Sequence, residues 1–331
     1  MFIGHDEVTD LLTSLKSKNK KALVYAGFDP TGNSLHIGHL GVISILSRFA
    51  DEGHDVNVIL GTGTAFIGDP TGKNEMRKMI SQEEIESNTR GIMNDIMRVL
   101  DNPSFIRNDW LRDLNFQHFM KEAGSRIPLN DLLNLSIVKT RLESGAGITL
   151  MEAIYPVLQG WDMVVMSRIA RDKGLDTVIQ VGGADQTGNI SMGIHLTNRL
   201  VDGVDAIGAL SNLITSPDGV KMGKTAGNAI FLNPELTDDL VFFDSILSVP
   251  DSMTDSMIDV LMPSIDKHSD IMLKKKALAI GITGWVRPEG INNVLDIKTR
   301  GFDAGSLKTW HASTGQSIVQ ILKDSQLVPS I

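Results

Sequence analysis

A strand, loop, helix and strand near the start of the chain constrain its fold more than any other feature. Residues 22–28 form a short apolar run typical of a buried strand, and Asp55–Leu60 has the pattern of a second strand. Between them, the turn-forming residues 29–33 lead into a helical pattern that begins near Ser34 and ends at Gly53. Two strands joined through a helix form a βαβ unit, which requires a parallel sheet and a right-handed crossover. We therefore expect an α/β protein with a Rossmann-like parallel sheet.

A second strand and helix occur much further along the chain. Residues 177–181 form an apolar run that ends at Gly182 and Gly183, and a helix is expected over about 189–200. The sequence between the first βαβ unit and this later strand is mostly helical in pattern and is too long for a loop. We therefore interpret residues of about 70–153 as a helical insertion into a Rossmann-like domain of residues 1–232.

After residue 232 the pattern changes. Apolar residues recur at helical spacing, without strand alternation, in three segments: 238–247, 253–261 and 271–282. We therefore expect an all-α domain over residues 233–311 to follow the α/β domain. The remaining segment, 312–331, contains one more helical pattern at 318–322.

Composition limits the chemistry and the compartment. The 331 residues include no cysteine, which excludes a disulfide framework and any cysteine-based metal site and fits a cytoplasmic protein. The sequence shows no signal peptide, and no apolar run approaches the roughly 18 residues that a membrane span needs. We therefore expect a soluble protein with no membrane partner. With a formal net charge of −9, any contact with RNA must come from local basic patches.

Two histidines lie where the first loop enters its helix. His36 and His39 are three residues apart at a helix start, where unpaired backbone N–H groups and the helix dipole favour an anion. Gly38, between them, would let a flat group such as a purine approach the backbone. A surface pair or a metal-binding pair is the alternative, but zinc needs further ligands, and no His-Glu-x-x-His pattern is present. We interpret the pair as phosphate-binding.

The glycine-rich loop after the second strand, residues 61–73, resembles a phosphate-binding P-loop only superficially. Gly68 and Gly72 are separated by three residues where that motif has four, and Asn74 replaces its Ser or Thr. The dinucleotide-binding glycine pattern is not matched either. We interpret the loop as one that brings its backbone and Asp69 close to a small ligand, and an ordinary strand-exit loop remains the alternative.

Three polar residues share one stripe of a predicted helix. Tyr155, Gln159 and Asp162 are spaced i, i+4 and i+7, while most of their neighbours are apolar. A polar stripe on a buried helix must face something polar. A ligand pocket is our preferred interpretation, and an internal hydrogen-bond network is the alternative.

A lysine-containing loop completes the set. Lys221 and Lys224 are three residues apart in a segment that also contains three glycines, at 219, 223 and 227. Such a loop could close over a polyphosphate, and its two lysine charges would then neutralise a leaving pyrophosphate. Alone this signal is weak, but combined with the two histidines it predicts a nucleoside triphosphate as ligand.

These segments together resemble the bacterial-type tyrosyl-tRNA synthetases, a family of class I aminoacyl-tRNA synthetases. The resemblance covers nearly the whole chain. Its segments are Tyr-Ala-Gly-Phe-Asp-Pro-Thr at 25–31, Leu-His-Ile-Gly-His-Leu at 35–40, Ile-Gly-Asp-Pro at 67–70, Tyr-Pro at 155–156, Gly-Gly-Ala-Asp-Gln at 182–186 and Lys-Met-Gly-Lys-Thr at 221–225.

The resemblance implies a set of site residues. Tyr25 and Asp162 match the pair that binds the substrate phenol, and the other implied tyrosine-binding residues are Asp69, Tyr155, Gln159, Gln180 and Gln186. The implied ATP-binding residues are Asp29, Gly38, Gly183, Asp185, Met222 and Lys224. The implied catalytic residues, which stabilise charge on the phosphates, are Thr31, His36, His39, Lys221 and Lys224.

The resemblance also implies substrates and partners. L-tyrosine is activated by ATP with Mg²⁺ and is transferred to tRNA(Tyr), with no tightly bound cofactor and no metal site in the protein. Lys73 and Arg77 match basic positions near the path of the tRNA acceptor stem. The family is homodimeric, and the contact is expected at residues 130–153. Residues 233–311 correspond to the anticodon-side helical domain, and residues 312–331 to a shortened C-terminal RNA-binding domain.

Two positions depart from the family pattern, because Thr187 replaces a tryptophan and Ala26 replaces a cysteine, and both concern packing of the pocket.

Two other functions also fit the motifs. One is an adenylate-forming relative with another acceptor or carboxylate substrate, and the other is a non-catalytic RNA-binding paralogue. The presence of both histidines and both lysines favours an enzyme over the second alternative.

Overall fold

The computed structural model describes residues 1–67, 80–143, 145, 148–212, 229–291 and 294, with backbone only at 136 and 137. The chain divides into two compact units. The first unit comprises Met1–Asn33, Ile45–Met93 and Leu100–Asn212. The second unit comprises Ser34–Ser44, Asn94–Val99 and Leu213–Ile331.

The first unit is built on a parallel sheet. Within the described residues the sheet has six strands in the order β1-β6-β5-β2-β3-β4, and every neighbouring pair is parallel. The strands are β1 (Phe2–Gly4), β2 (Leu23–Phe28), β3 (Asp55–Leu60), β4 (Ser104–Arg107), β5 (Thr177–Gly183) and β6 (Asp205–Ser211). The predicted α/β class with a Rossmann-like parallel sheet is confirmed.

Three of these strands follow directly from the sequence. The predicted runs at 22–28, 55–60 and 177–181 coincide with β2, β3 and β5, in which nearly every residue is buried. Such continuous burial is typical of parallel strands covered on both faces. β1, β4 and β6 were not predicted, because β1 and β4 are short and β6 is rich in alanine and glycine.

The strand order creates one reversal in the sheet. From β2 the chain proceeds outward to β3 and β4, whereas β5 pairs with the other edge of β2 and leads to β6. In open parallel sheets, ligands bind outside the carboxyl ends of the strands at such a switch point. The fold therefore directs attention to the residues that follow β2 and β5.

Helices connect and cover the strands. In chain order they are α1 (Val8–Ser17), α2 (Leu40–Asp51), α3 (Gln82–Val99), α4 (Phe116–Glu122), α5 (Leu129–Leu133), α6 (Ser136–Glu143), α7 (Leu150–Asp172) and α8 (Thr187–Leu200). The α8 helix was predicted over about 189–200. The predicted insertion, about 70–153, contains α3 to α6 but also β4, so its pattern is not helical throughout.

Close packing of α7 and α8 forms much of the core of the first unit. A Cβ added at Gly160 would lie 3.1 Å from the backbone nitrogen of Gly193, and one at Gly193 would lie 3.0 Å from Cβ of Met163. Trp161 and Met163 of α7 and Val178 of β5 belong to the same buried cluster. The helix that carries the predicted polar stripe is therefore held firmly against its neighbour.

Most of the described part of the second unit is helical. The predicted segments 238–247, 253–261 and 271–282 coincide with α9 (Asp239–Leu247), α10 (Asp251–Leu261) and α11 (Ile271–Val286). Asp238 and Asp270 cap α9 and α11, since their side chains accept N–H bonds of 2.9 and 2.8 Å from Leu240 and Met272. The predicted domain limits at 232 and 311 stay predictions, and residues 312–331 lie outside the described part of the chain. None of the described helices has the length and apolarity required to span a bilayer.

Candidate active site

Tyr25 lies in the middle of β2, beside the switch point. It is paired in register with Gln180 of β5, and its hydroxyl donates a 3.0 Å hydrogen bond to Oε1 of Gln180. Tyr25 is only 1% exposed. Burial, with a smaller contribution from the charge of Asp162, raises the pKa of the Tyr25 phenol well above its ordinary value. Tyr25 therefore keeps its proton and can act as a hydrogen-bond donor.

Asp162 of α7 is a buried carboxyl group with two donors. Nδ2 of Asn108 donates to Oδ2 at 3.1 Å, and Nε1 of Trp110 donates to Oδ1 at 2.9 Å. Burial outweighs these two bonds and raises the pKa of Asp162 to about 8, and the charge of Asp29 acts in the same direction. At neutral pH this carboxyl group is therefore mainly protonated, unlike an ordinary aspartate.

Asn108 connects the Asp162 side of the site to the loop after β3. Its side chain also donates to Oγ1 of Thr64 at 3.2 Å and accepts the backbone N–H of Gly63 at 2.7 Å. The residue is completely buried. An asparagine with donor and acceptor both in use fixes the distance between two loops. Asn108 thereby sets the position of the Asp162 carboxyl group.

Asp29, directly after β2, binds two side chains. The hydroxyl of Tyr155 donates to Oδ2 at 2.7 Å, and the hydroxyl of Thr64 donates to Oδ1 at 2.6 Å. Gly61 makes this arrangement possible, because a Cβ there would collide with Oδ1 of Asp29 and lie 2.6 Å from Oγ1 of Thr64. Asp29, predicted for ATP, and Tyr155, predicted for tyrosine, thus form one hydrogen-bonded pair.

The amides at the start of α8 form another group. Nδ2 of Asn189 donates to Oε1 of Gln159 at 2.9 Å and to Oε1 of Gln186 at 3.0 Å. Gly183 ends β5, and Asp185 and Gln186 lie in the 3₁₀ turn that follows it. Gln159 and Gln186, both predicted for tyrosine, are therefore brought together by Asn189.

The polar stripe of α7 lies where the helical spacing placed it. Tyr155, Gln159 and Asp162 each have a hydrogen-bond partner in the protein. The internal network that was the alternative interpretation is thus present in the first unit. A ligand pocket along the same stripe stays a prediction.

The two departures from the family pattern have local explanations. Thr187 is exposed at the start of α8, where its hydroxyl donates to the backbone oxygen of Ala184 at 2.6 Å and stabilises the preceding turn. Ala26 is 1% exposed within β2.

Thr31, predicted as catalytic, is exposed after β2, and its N–H donates to the backbone oxygen of Asp29 at 2.7 Å.

The two histidines belong to the second unit and lie at a helix start that differs from the predicted one. The helix was expected near Ser34, but a 3₁₀ turn covers Ile37–His39 and α2 begins at Leu40. Ser34 and Leu35 are not helical, and their polar groups are bonded to Asp95 and to residues 232–233. This pairing competes with helix formation.

The histidine rings lie side by side. Their centroids are 4.0 Å apart, Nδ1 of His36 accepts the N–H of Gly38 at 3.2 Å, and Nδ1 of His39 accepts the N–H of His36 at 3.1 Å. Both rings are thus oriented through the backbone of the turn.

The remaining predicted residues lie outside the described part of the chain: Asp69, Lys73, Arg77, Lys221, Met222 and Lys224. Among the described residues, no cluster of three or more His, Asp or Glu could hold a metal ion.

Two sequence comparisons establish the family. The model of class I tRNA synthetases for tryptophan and tyrosine matches residues 16–279. The Tyrosine--tRNA ligase of Clostridium kluyveri is 33% identical over 347 aligned positions, which cover 98% of this chain and 82% of the relative. The chain belongs to the tyrosyl-tRNA synthetases.

Further comparisons agree with this family. The Tyrosine--tRNA ligase of Listeria monocytogenes is 32% identical over 326 positions, covering 93% of this chain and 75% of the relative. A C-terminally truncated mitochondrial tyrosyl-tRNA synthetase of Aspergillus nidulans has the same fold, with a TM-score of 0.69 at 19% identity. That match covers 89% of this synthetase and 96% of the Aspergillus chain. The resemblance read from the motifs is therefore confirmed.

Sequence reasoning missed Asn108 and Trp110, both bonded to Asp162. They follow β4, a short strand that was not predicted. A signal was present, since polar residues at the carboxyl end of a parallel strand belong to the edge where such sheets bind ligands. Without β4, nothing assigned them to that edge.

Proposed function

We propose that this synthetase activates L-tyrosine with ATP and transfers the tyrosyl group to tRNA(Tyr). The observation that carries the proposal is the buried pair of Tyr25 and Asp162 beside the switch point of the sheet, in a chain of this family. The phenol of Tyr25 and the carboxyl group of Asp162 are both polar and 1% and 5% exposed. Buried polar groups of this kind suit recognition of one polar group on a ligand.

Recognition of the tyrosine hydroxyl is assigned to that pair. Asp162 is held by Asn108 and Trp110, so its orientation is fixed before a ligand arrives. Phenylalanine has no hydroxyl to bond to Tyr25 or Asp162, so the hydrogen bonds that favour tyrosine would not form. Strong rejection of phenylalanine follows, and its factor of about 10⁵ is the established value for enzymes of this type rather than a result of these distances.

The remaining contacts to tyrosine are assigned through the family motifs. Tyr155, Gln159 and Asp69 are proposed around the ammonium group, and Gln180 and Gln186 along the bound amino acid. The two bonds that Asn189 makes to Gln159 and Gln186 support this assignment, because they orient both amides.

The proposed chemistry needs no general base. The tyrosine carboxylate, already an anion, attacks the α-phosphorus of ATP, and pyrophosphate leaves as tyrosyl-adenylate forms. ATP enters as its magnesium complex. The residues proposed to bind ATP or to stabilise its phosphate charge, all by their match to the family, are Asp29, Thr31, His36, Gly38, His39, Gly183, Asp185, Lys221, Met222 and Lys224.

In the second step, a hydroxyl of the terminal ribose of tRNA attacks the tyrosyl carbonyl and releases AMP. Lys73 and Arg77 are proposed along the acceptor stem. The anticodon-side contact is assigned to the helical domain of residues 233–311. The cytoplasm is the proposed compartment, since ATP and tRNA are both present there.

A homodimer is also proposed, with its contact in the inserted region. Several large apolar side chains of α4 to α7 are exposed: Phe116 (76%), Met120 (44%), Leu129 (66%), Leu133 (38%), Leu142 (49%) and Leu150 (80%). Exposed apolar side chains in such number are typical of an interaction surface. Three of the six lie within the expected contact region, residues 130–153, and Leu129 directly precedes it.

Exchange of labelled pyrophosphate into ATP tests the activity. We expect exchange that depends on tyrosine and is not supported by phenylalanine, followed by charging of purified tRNA(Tyr). A folded protein without tyrosine-dependent exchange would contradict the proposal. Exchange without charging would instead favour an adenylate-forming relative with another acceptor.

A further inference from the structure

The short non-helical segment that leads into His36 is bonded on two sides. The N–H of Ile37 donates to the backbone oxygen of Ile230 at 3.0 Å, and the N–H of Leu232 donates to that of Leu35 at 2.8 Å. His36 and Phe231 form the antiparallel bridge between these bonds. The segment that carries His36 is therefore aligned against residues 230–232, within the second unit.

Asp95 of α3 binds the other edge of this segment. Its Oδ2 accepts the hydroxyl of Ser34 at 2.6 Å and the N–H of Leu35 at 2.8 Å. The Ser34 hydroxyl oxygen in turn accepts the N–H of Asn233 at 3.3 Å. One carboxylate oxygen thus holds the two residues immediately before His36, and charge-assisted bonds of this kind are stronger than neutral ones.

The partner segment is itself fixed. Nη2 of Arg287 donates to the backbone oxygen of Phe231 at 2.9 Å, and Nη1 donates to Oδ1 of Asp239 at 2.7 Å. The guanidinium also lies 4.2 Å from the ring centroid of Phe242. Arg287 therefore holds residues 230–232, and Asp95 holds Ser34 and Leu35 beside them.

Asp95 is a buried carboxyl group whose Oδ2 bonds to the segment before His36. It is 1% exposed, and burial raises its pKa, although the Ser34 and Leu35 bonds and the charges of Arg98 and Arg287 act in the opposite direction. Burying a charged group is unfavourable unless it is hydrogen-bonded, and an apolar residue in this place would leave the Leu35 N–H without its acceptor. A specific geometry at Ser34 and Leu35 explains the presence of a carboxylate here.

We propose that Asp95 is a positioning residue for His36, acting through the Ser34 hydroxyl and the Leu35 N–H. The inference rests on the proposed function, in which His36 stabilises charge on the phosphates of ATP. Asp95 sets where the turn of Ile37–His39 begins, and hence where the His36 ring lies. It does not itself contact substrate.

Pyrophosphate exchange in a set of variants tests this role. Asp95→Ala is expected to lower kcat about 10- to 100-fold, the range that a displacement of about 1 Å produces, with KM for tyrosine nearly unchanged. Asp95→Asn is expected to recover most of this loss, because its amide oxygen can still accept the Leu35 N–H. Glu84→Ala, which removes an exposed carboxylate from the same helix, is the matched control and should exchange at the wild-type rate.

Combination with His36→Ala separates positioning from general destabilisation. If Asp95 acts through His36, Asp95→Ala adds little to the loss already caused by His36→Ala. Equal losses from Asp95→Ala in the presence and absence of His36 would overturn the proposal. If Asp95→Ala does not fold, Ser34→Ala removes one of the same bonds, and its loss must likewise vanish in the His36→Ala background.

A readout that does not need activity distinguishes this inference from the proposed function. The imidazole NMR signals of His36 should shift in Asp95→Ala and Ser34→Ala and stay in place in the Glu84→Ala control. Unchanged His36 signals would refute the positioning role, even if the wild-type protein exchanges pyrophosphate. Shifted signals in a protein that shows no exchange with tyrosine would retain the positioning role and reject the proposed reaction.

Discussion

Replacing Asp162 by asparagine should change how the stability of the protein depends on pH. The pKa of Asp162 is raised to about 8 in the folded protein from an ordinary value of 3.8. Between these values the folded protein carries a proton that the unfolded chain does not. Raising the pH therefore favours unfolding, so the stabilising contribution is complete below pH 4 and is lost as the pH rises towards 8.

The magnitude follows from one proton. A single proton difference changes the free energy of unfolding by about 1.4 kcal/mol for each pH unit, or about 3 kcal/mol between pH 5 and pH 7. An asparagine side chain cannot titrate, so the Asp162→Asn variant lacks this contribution. The variant should therefore gain about 3 kcal/mol relative to the wild type over the same interval, in addition to a constant difference from altered hydrogen bonds.

Urea unfolding at pH 5, 6 and 7, followed by tryptophan fluorescence, measures this difference. Subtracting the wild-type curve removes the contributions of the other titrating groups. Asp131→Asn, at an exposed carboxylate in the same unit, is the control and should give a flat difference. A flat difference for Asp162→Asn as well would show that Asp162 is ionised in the folded protein and would refute the reasoning from its burial.

Three further substitutions test the site and the assembly. Gly61→Ala should displace Asp29 and lower tyrosine-dependent exchange at least 10-fold. Gly284→Ala is the control, because a Cβ there meets nothing within 4 Å. Equal exchange rates for the two variants would refute the close approach of Asp29 to Gly61. Asn108→Ala should lower the free energy of unfolding by about 3 kcal/mol and raise KM for tyrosine, and an unchanged KM would separate Asn108 from the pocket. Leu150→Glu should convert a dimer into monomers by sedimentation, and a dimer that persists would exclude Leu150 from the contact.

The part of the fold that the sequence predicts is the part with long buried runs. β2, β3 and β5 are mostly apolar and almost wholly buried, which is typical of parallel strands covered on both faces of the sheet. β4 has only four residues, none of them buried, so no apolar run marks it. Its position at the sheet edge depends on pairing with β3, which is a long-range interaction.

The site was predictable to the extent that its residues lie in recognisable segments. Tyr25, Asp29 and Tyr155 lie within motifs, and the structure brings the last two together. The non-helical conformation of Ser34 and Leu35 could not be read from spacing, because their bonds go to Asp95, which lies sixty residues after Leu35. Helical periodicity in residues 40–49 favoured an earlier helix start than tertiary hydrogen bonds allow.

The topology explains why the polar groups of the site come from such distant positions. β2 and β5 are neighbours at the switch point, so Tyr25 and Gln180 meet although 155 positions separate them. The carboxyl group that influences Tyr25 arrives from α7, and its two donors arrive from the end of β4 on the other side of β2. Each group alone would be a buried polar side chain with an unfavourable desolvation energy. Their convergence gives each of these groups a hydrogen-bond partner, which offsets the desolvation energy of the buried polar cluster.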